Sequence, residues 1–136
     1  MSYAVSGNVK SFRPEGYATD HPLVPHGMSV ILNAPAVFRY TASADPERHL
    51  LAAEALGADV SRAQAEDAGH ILADRITWFM QRLKMPNGLR AVGYSSSDVP
   101  ALVDGTLPQH RVTTLAPRPA GPDELAALFE AAMTAW

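Results

Sequence analysis

Between His26 and Ala42 most positions are apolar, among them Met28, Val30, Ile31, Leu32, Val37 and Phe38, and the run reads as an almost wholly apolar helix. A helix that is apolar all round is stable only inside a core, so the remainder of the chain has to pack around this one. Pro35 lies within it, removes one backbone hydrogen bond and is expected to bend it. The approach is equally constrained. Asp20-His21-Pro22-Leu23-Val24-Pro25-His26-Gly27-Met28 brings two histidines and two prolines onto a glycine. The prolines stiffen the backbone and put the His26 imidazole at a helix N-terminus with apolar packing behind it. A ring held in that way needs little reorganisation to bind a metal. From the spacing alone, His26 reads first as an N-cap or core histidine and second as a ligand.

The other helices are marked by their ends. Asp45-Pro46-Glu47 combines an acidic N-cap, proline at the first helical position and a carboxylate in the first turn, and Gly57 stops that helix. A further helix is predicted from Arg62 to Lys84, where Ala65, Ala68, Leu72, Ile76, Phe79 and Leu83 recur at intervals of three and four, with Pro86-Asn87-Gly88 as its end. Ser95 and Asp98 stand in capping-box spacing before a short helix that finishes near Gly105. Residues 105–121, with Pro108, Pro117 and Pro119, read as an extended crossing segment. Gly121-Pro122-Asp123-Glu124 starts a last helix carrying Leu125, Leu128, Phe129 and Ala132 on one face. Residues 1–25 read as irregular or short-stranded, and no alternating strand of useful length follows residue 42. The predicted class is all-α, with roughly five helices packed round the one that begins at His26.

Composition narrows the functions open to such a domain. The 136 residues are 47% hydrophobic and 18% charged, which favours one folded domain over disorder. A net charge of −3 supplies no basic field, so nucleic acid is not an expected partner. With no cysteine, any metal has to be held by histidine and carboxylate. No signal peptide and no membrane span are evident, and the expected location is the cytoplasm. No Gly-x-Gly-x-x-Gly turn follows a strand, so the chain is not expected to bind a dinucleotide by itself. Ser95-Ser96-Ser97 lacks the setting of a nucleophile and is better explained by helix capping.

Several runs together resemble one family. Pro25-His26-Gly27, Pro46-Glu47-Arg48-His49-Leu50, Glu54-Ala55-Leu56-Gly57-Ala58-Asp59, Asp67-Ala68-Gly69, Ala91-Val92-Gly93-Tyr94-Ser95 and Asp98-Val99-Pro100-Ala101-Leu102-Val103 resemble the hydroxyacid-oxoacid transhydrogenases, a branch of the iron-dependent alcohol dehydrogenase superfamily. The resemblance runs over nearly the whole chain. It implies the helical metal-binding domain of a two-domain enzyme, with residues 1–25 as an irregular cleft segment and 26–136 as the helical body. The preceding dinucleotide-binding domain is absent from the sequence.

The same resemblance assigns roles. His26 falls on a metal-ligand position of the Pro-His-Gly element, for iron(II) or zinc. The other family ligands, an aspartate and two histidines, fall upstream, one of the histidines just before Met1. His21, His49, His70 and His110 match no ligand position; His21 reads as a loop residue, His49 and His70 as helix-surface residues. Tyr3 occupies a position where the alcohol dehydrogenases commonly carry histidine near nicotinamide and substrate, and a phenol there could hydrogen-bond a substrate oxygen or relay a proton. A tyrosine merely packed in a loop is the equal alternative. Lys10 and Arg13 lie between Tyr3 and His26 and are candidates for holding the carboxylate of a hydroxyacid; as loop cations they also read as ordinary surface charge.

The activity implied is hydride transfer from a hydroxyacid such as 4-hydroxybutyrate, through tightly held NAD, to an oxoacid such as 2-oxoglutarate. Succinate semialdehyde and 2-hydroxyglutarate are the products. The chain alone is expected to be inactive and to hold neither metal nor NAD tightly. Its expected partner is the missing nucleotide-binding half, or a second copy through apolar residues Val5, Phe12, Leu23, Val24 and Met28 left uncovered near His26. The alternatives are an iron-dependent alcohol dehydrogenase fragment, one chain of a split enzyme, or a helical binding module without catalysis.

Overall fold

The computed structural model describes all residues 1–136 and is built from helices alone. Seven α-helices follow in order: α1 (Ser2–Gly7), α2 (His26–Thr41), α3 (Pro46–Ala55), α4 (Ala68–Arg82), α5 (Val99–Thr106), α6 (His110–Thr113) and α7 (Pro122–Ala131). Short 3-10 turns at Ala42–Ala44, Ala65–Asp67, Arg90–Val92 and Ser96–Asp98 join or precede them. As the apolar run requires, α2 lies at the centre, packed on α4, α1 and α7, while α3 packs on α4 and α5 bridges α1 and α7. Leu32, Ala34, Pro35 and Ala36 of α2 are buried in the resulting core, and the helix runs through Pro35 without a break.

Close approach of α4 to α2 depends on small residues. Gly69 lies so near α2 that a Cβ there would come within 3.0 Å of both the Arg39 Cα and the Ala42 Cβ. Beyond it, Leu72, Ile76 and Met80 continue a buried face at four-residue spacing, with Ala73 and Thr77 beside them. The expected caps form. The Asp45 carboxylate accepts from the Arg48 N–H at 3.1 Å, the Ser95 N–H donates to Asp98 Oδ2 at 2.8 Å, and the Gly121 N–H donates to Glu124 Oε2 at 2.9 Å. Gly57 takes a left-handed φ of 83° just after α3.

Four expectations are corrected. Residues 2–7, read as irregular, form α1; a six-residue helix is not stable by itself, and this one is held by burial of Ala4 and Val5. The helix predicted from Arg62 starts only at Ala68, after a 3-10 turn in which the Gln64 N–H donates to Asp67 Oδ2. Within 105–121, expected to be extended, the four residues of α6 are helical. His49, read as a surface residue, is 9% exposed: its Nδ1 bonds the Asp45 carbonyl at 2.7 Å and its Nε2 lies 3.0 Å from Thr41 Oγ1. The ring sits edge-on to Phe38 and joins the end of α2 to the start of α3, a role invisible in helical periodicity.

Candidate functional site

Pro25, with φ −54° and ψ 143°, delivers the chain in extended form to the first residue of α2. His26 therefore begins the helix with its side chain at the surface, while the helix behind it is buried. Neither His26 ring nitrogen bonds another protein group; only its carbonyl does, accepting from Ser29 Oγ at 2.8 Å. The free nitrogens leave the imidazole available to an external acceptor or metal.

Tyr3 meets that ring. The two ring centroids are 5.0 Å apart with planes tilted by 33°, and the tyrosine is 42% exposed. The contact exists because α1 is fixed at three points. Ser6 Oγ lies 3.1 Å from the Val24 carbonyl and 3.0 Å from Ser29 Oγ, and the Tyr94 hydroxyl donates to the Val5 carbonyl. Tyr94 is 4% exposed, and burial, helped by the negative Asp98 nearby, pushes its phenol up to about 12. It is a donor, held in place, rather than a proton carrier. Ser6, Ser29 and Tyr94 went unrecognised as supports of the site in the sequence. Ser29, three residues after His26 and able to bond its carbonyl, carried the one readable signal.

The two loop cations have partners inside the chain. Lys10 Nζ lies 2.6 Å from Asp98 Oδ1, and this contact, with the Ser95 N–H, holds the Asp98 carboxyl below its usual range. The Arg13 guanidinium donates to the Thr19 carbonyl at 3.0 Å and the Asp20 carbonyl at 2.8 Å, closing the loop that leads to α2. Sequence reasoning thus named two residues that the fold brings together, Tyr3 and His26, and two that bind other groups. His21 is exposed and bonds Asp20 at 2.8 Å, while His70 and His110 are exposed on their helices. Val5 and Val24, expected to be uncovered near His26, are fully buried, because α1 turns Val5 inward and Val24 packs beneath the turn; Phe12, Leu23 and Met28 are half-buried.

No three of the chain's histidine, aspartate and glutamate side chains come together around a common point. His26 therefore stands as a single exposed imidazole with no cluster of further donors around it.

Together these features define a helical domain that displays one unpaired imidazole from the start of its central helix, with an aromatic ring against it. The sequence pattern of the "Fe-containing alcohol dehydrogenase family, C-terminal" matches residues 21–133, and the chain belongs to that family. It is 59% identical over 133 residues to a hydroxyacid-oxoacid transhydrogenase, mitochondrial, of Pongo abelii, covering 98% of this chain and 28% of that protein. The protein of the same name from Homo sapiens is 58% identical over 133 residues, with the same coverage of 98% and 28%. A probable hydroxyacid-oxoacid transhydrogenase, mitochondrial, of Dictyostelium discoideum is 54% identical, covering 98% of this chain and 25% of that one. Among solved structures, a 1,3-propanediol oxidoreductase superposes with a TM-score of 0.76 at 26% identity, over 96% of this chain and 32% of that one. The chain thus spans little more than a quarter of the length of the transhydrogenases it matches. No helix is long and apolar enough to cross a membrane.

Proposed function

We propose that this chain is the C-terminal, metal-facing part of an iron-dependent hydroxyacid-oxoacid transhydrogenase, with residues 1–25 lining the cleft and 26–136 forming the helical body. The observation that carries the reading is the exposed His26 imidazole, free at both nitrogens and set against Tyr3. In this reading His26 contributes one ligand to iron(II), or to zinc, and the remaining ligands and the NAD site come from polypeptide N-terminal to this region. The metal, when bound, polarises the substrate oxygen as a Lewis acid and eases hydride transfer between the hydroxyacid and NAD.

The chain's own residues hold and shape that site. Pro25 and the Ser29 bond to the His26 carbonyl fix the backbone that presents the imidazole. Tyr3 limits rotation of the ring and offers a phenol to the substrate oxygen. Lys10 and Arg13 favour a carboxylate-bearing substrate. Their present partners are an exposed loop's carbonyls and a carboxylate, both of which water can replace when substrate arrives. An alcohol dehydrogenase without carboxylate preference is the alternative, favoured if those loop contacts persist with substrate bound.

The test is a chimera in which these 136 residues replace the matched region of the Homo sapiens relative. It should transfer hydride from 4-hydroxybutyrate to 2-oxoglutarate and hold iron, and His26→Ala should lose both. Full metal content and activity in the His26→Ala chimera would overturn the assignment. The cytoplasm was the expectation from sequence, whereas the relatives are named as mitochondrial; imaging of the tagged protein in its own cell decides the compartment.

A further inference from the structure

The core helix α2 is not covered on all sides. Its sequence is largely apolar, which favours burial, yet Val30 is 46% exposed and Val37 and Tyr40 are only half-buried. These residues, with Asn33, Ala34 and Thr41, recur at the three- and four-residue spacing of one helical stripe. They floor a groove of about 340 Å³ whose opposite wall is built from the α5–α7 region, including Val112, Ala116 and Leu128. Asn33 lies at the base of the same groove. It is 3% exposed, its Nδ2 donates to the Ser29 carbonyl, and its Oδ1 has no hydrogen-bond partner. A buried carbonyl oxygen left without a donor is costly, and native folds rarely keep one.

The groove's character selects its occupant. Arg118 is its only charged side chain, and that guanidinium already lies over the Tyr40 ring at 4.0 Å and bonds the Tyr40 carbonyl. A mainly apolar stripe about three turns long matches a helix that is apolar on one face. Met1 and Ser2 form part of the groove's lining, so polypeptide N-terminal to this region would arrive beside it. The relatives have such polypeptide in quantity, since this chain spans 28% of the Homo sapiens protein and matches the family's C-terminal pattern.

We propose that this groove seats an apolar-faced helix from the N-terminal portion of the family's enzymes. The inference rests on the reading of the chain as the C-terminal part of a longer enzyme, and it adds the surface through which the two parts join.

The absence of native cysteine in these 136 residues makes thiol labelling a clean probe. Val30→Cys and Val37→Cys are made singly in the isolated chain and in the chimera with the Homo sapiens N-terminal region, with Leu51→Cys on the exposed side of α3 as control. Maleimide labelling is followed by peptide mass at each site. Both groove thiols should react at least tenfold more slowly in the chimera than in the isolated chain, while the control reacts equally in both. Equal rates in the groove overturn the proposal. Slow labelling in the isolated chain also overturns it, assigning the groove to a second copy if the mass is dimeric and to the chain itself if monomeric. A chimera that does not fold counts against it, because a complementary groove should accept the relative's helix. Hydride transfer with unprotected thiols would defeat the docking surface alone. Protected thiols without hydride transfer would defeat the functional reading alone.

Discussion

The Tyr3 ring lies against the His26 imidazole at 5.0 Å between centroids, although 22 residues separate them in sequence. This contact keeps the imidazole at the mouth of α2 with both nitrogens free. In the complete enzyme His26→Ala is expected to lower both bound iron and activity, because a site short of one ligand holds metal less firmly. His21→Ala should do far less, since that ring bonds Asp20 at the surface. Iron content and turnover measured side by side check the pair; equal iron in the His26→Ala and unmodified proteins would sink the assignment.

The purified 136-residue chain should show neither transhydrogenase turnover nor micromolar NAD binding. It has no glycine-rich phosphate turn, and no three of its candidate donors converge. Calorimetric titration with NAD, together with a coupled assay, settles this, and micromolar binding would refute it.

Lys10 and Arg13 should separate substrates by charge. If either meets a desolvated substrate carboxylate, its removal costs on the order of 2–4 kcal/mol in kcat/KM for a hydroxyacid and little for a neutral alcohol of similar length. Equal losses for both substrates would mean that Lys10 serves Asp98 and Arg13 serves the 19–20 carbonyls, and nothing else.

Gly88→Ala is expected to be among the most damaging single changes. Gly88 has φ +71°, and an added Cβ would approach the Ala132 carbonyl to 2.7 Å and the Met133 carbonyl more closely still. Those carbonyls accept from the Leu89 and Arg90 N–H groups, while Asn87 Oδ1 accepts from the Ala135 and Trp136 N–H groups, so the C-terminal segment is clamped at this turn. A loss on the order of 3 kcal/mol follows from left-handed strain plus the clash. Urea unfolding measures it, and a change under 1 kcal/mol would contradict the packing described.

Tyr94 and Asp98 set opposite ends of the pH profile. The phenol is raised to about 12, so its contribution is complete below the ordinary tyrosine range near pH ~10 and is lost as pH rises toward 12. The Asp98 carboxyl is lowered, chiefly by Lys10, so its contribution is present above the ordinary aspartate range and fades as pH falls through the depressed value. Tyr94→Phe, which strips the donor from the buried Val5 carbonyl, should cost about 1–3 kcal/mol at neutral pH. It should also flatten the alkaline limb. Melting temperatures from pH 2 to 12 test both signs, and an unchanged alkaline limb in Tyr94→Phe would show that another group governs it.

Local chemistry made much of this protein readable from sequence. Asp45-Pro46, Ser95 with Asp98, and Gly121-Pro122 mark helix starts because a cap acts within three or four residues of itself. The central place of α2 follows from its composition, since so much apolar surface on one helix has nowhere else to go. His26 was legible for a similar reason: proline before it and glycine after it define its backbone without help from afar. What tertiary structure alone decided are the matters that depend on distant partners. Helix α1 exists because Tyr94 and the core hold a segment too short to be helical alone. His49 is buried because Thr41, Asp45 and Phe38 converge on it. Lys10 bonds Asp98 from 88 residues away in the chain, and no sequence pattern encodes that pairing. The partly open stripe on α2 belongs to the same group: only the packed fold reveals that Val30 is left exposed and Val37 and Tyr40 half-buried.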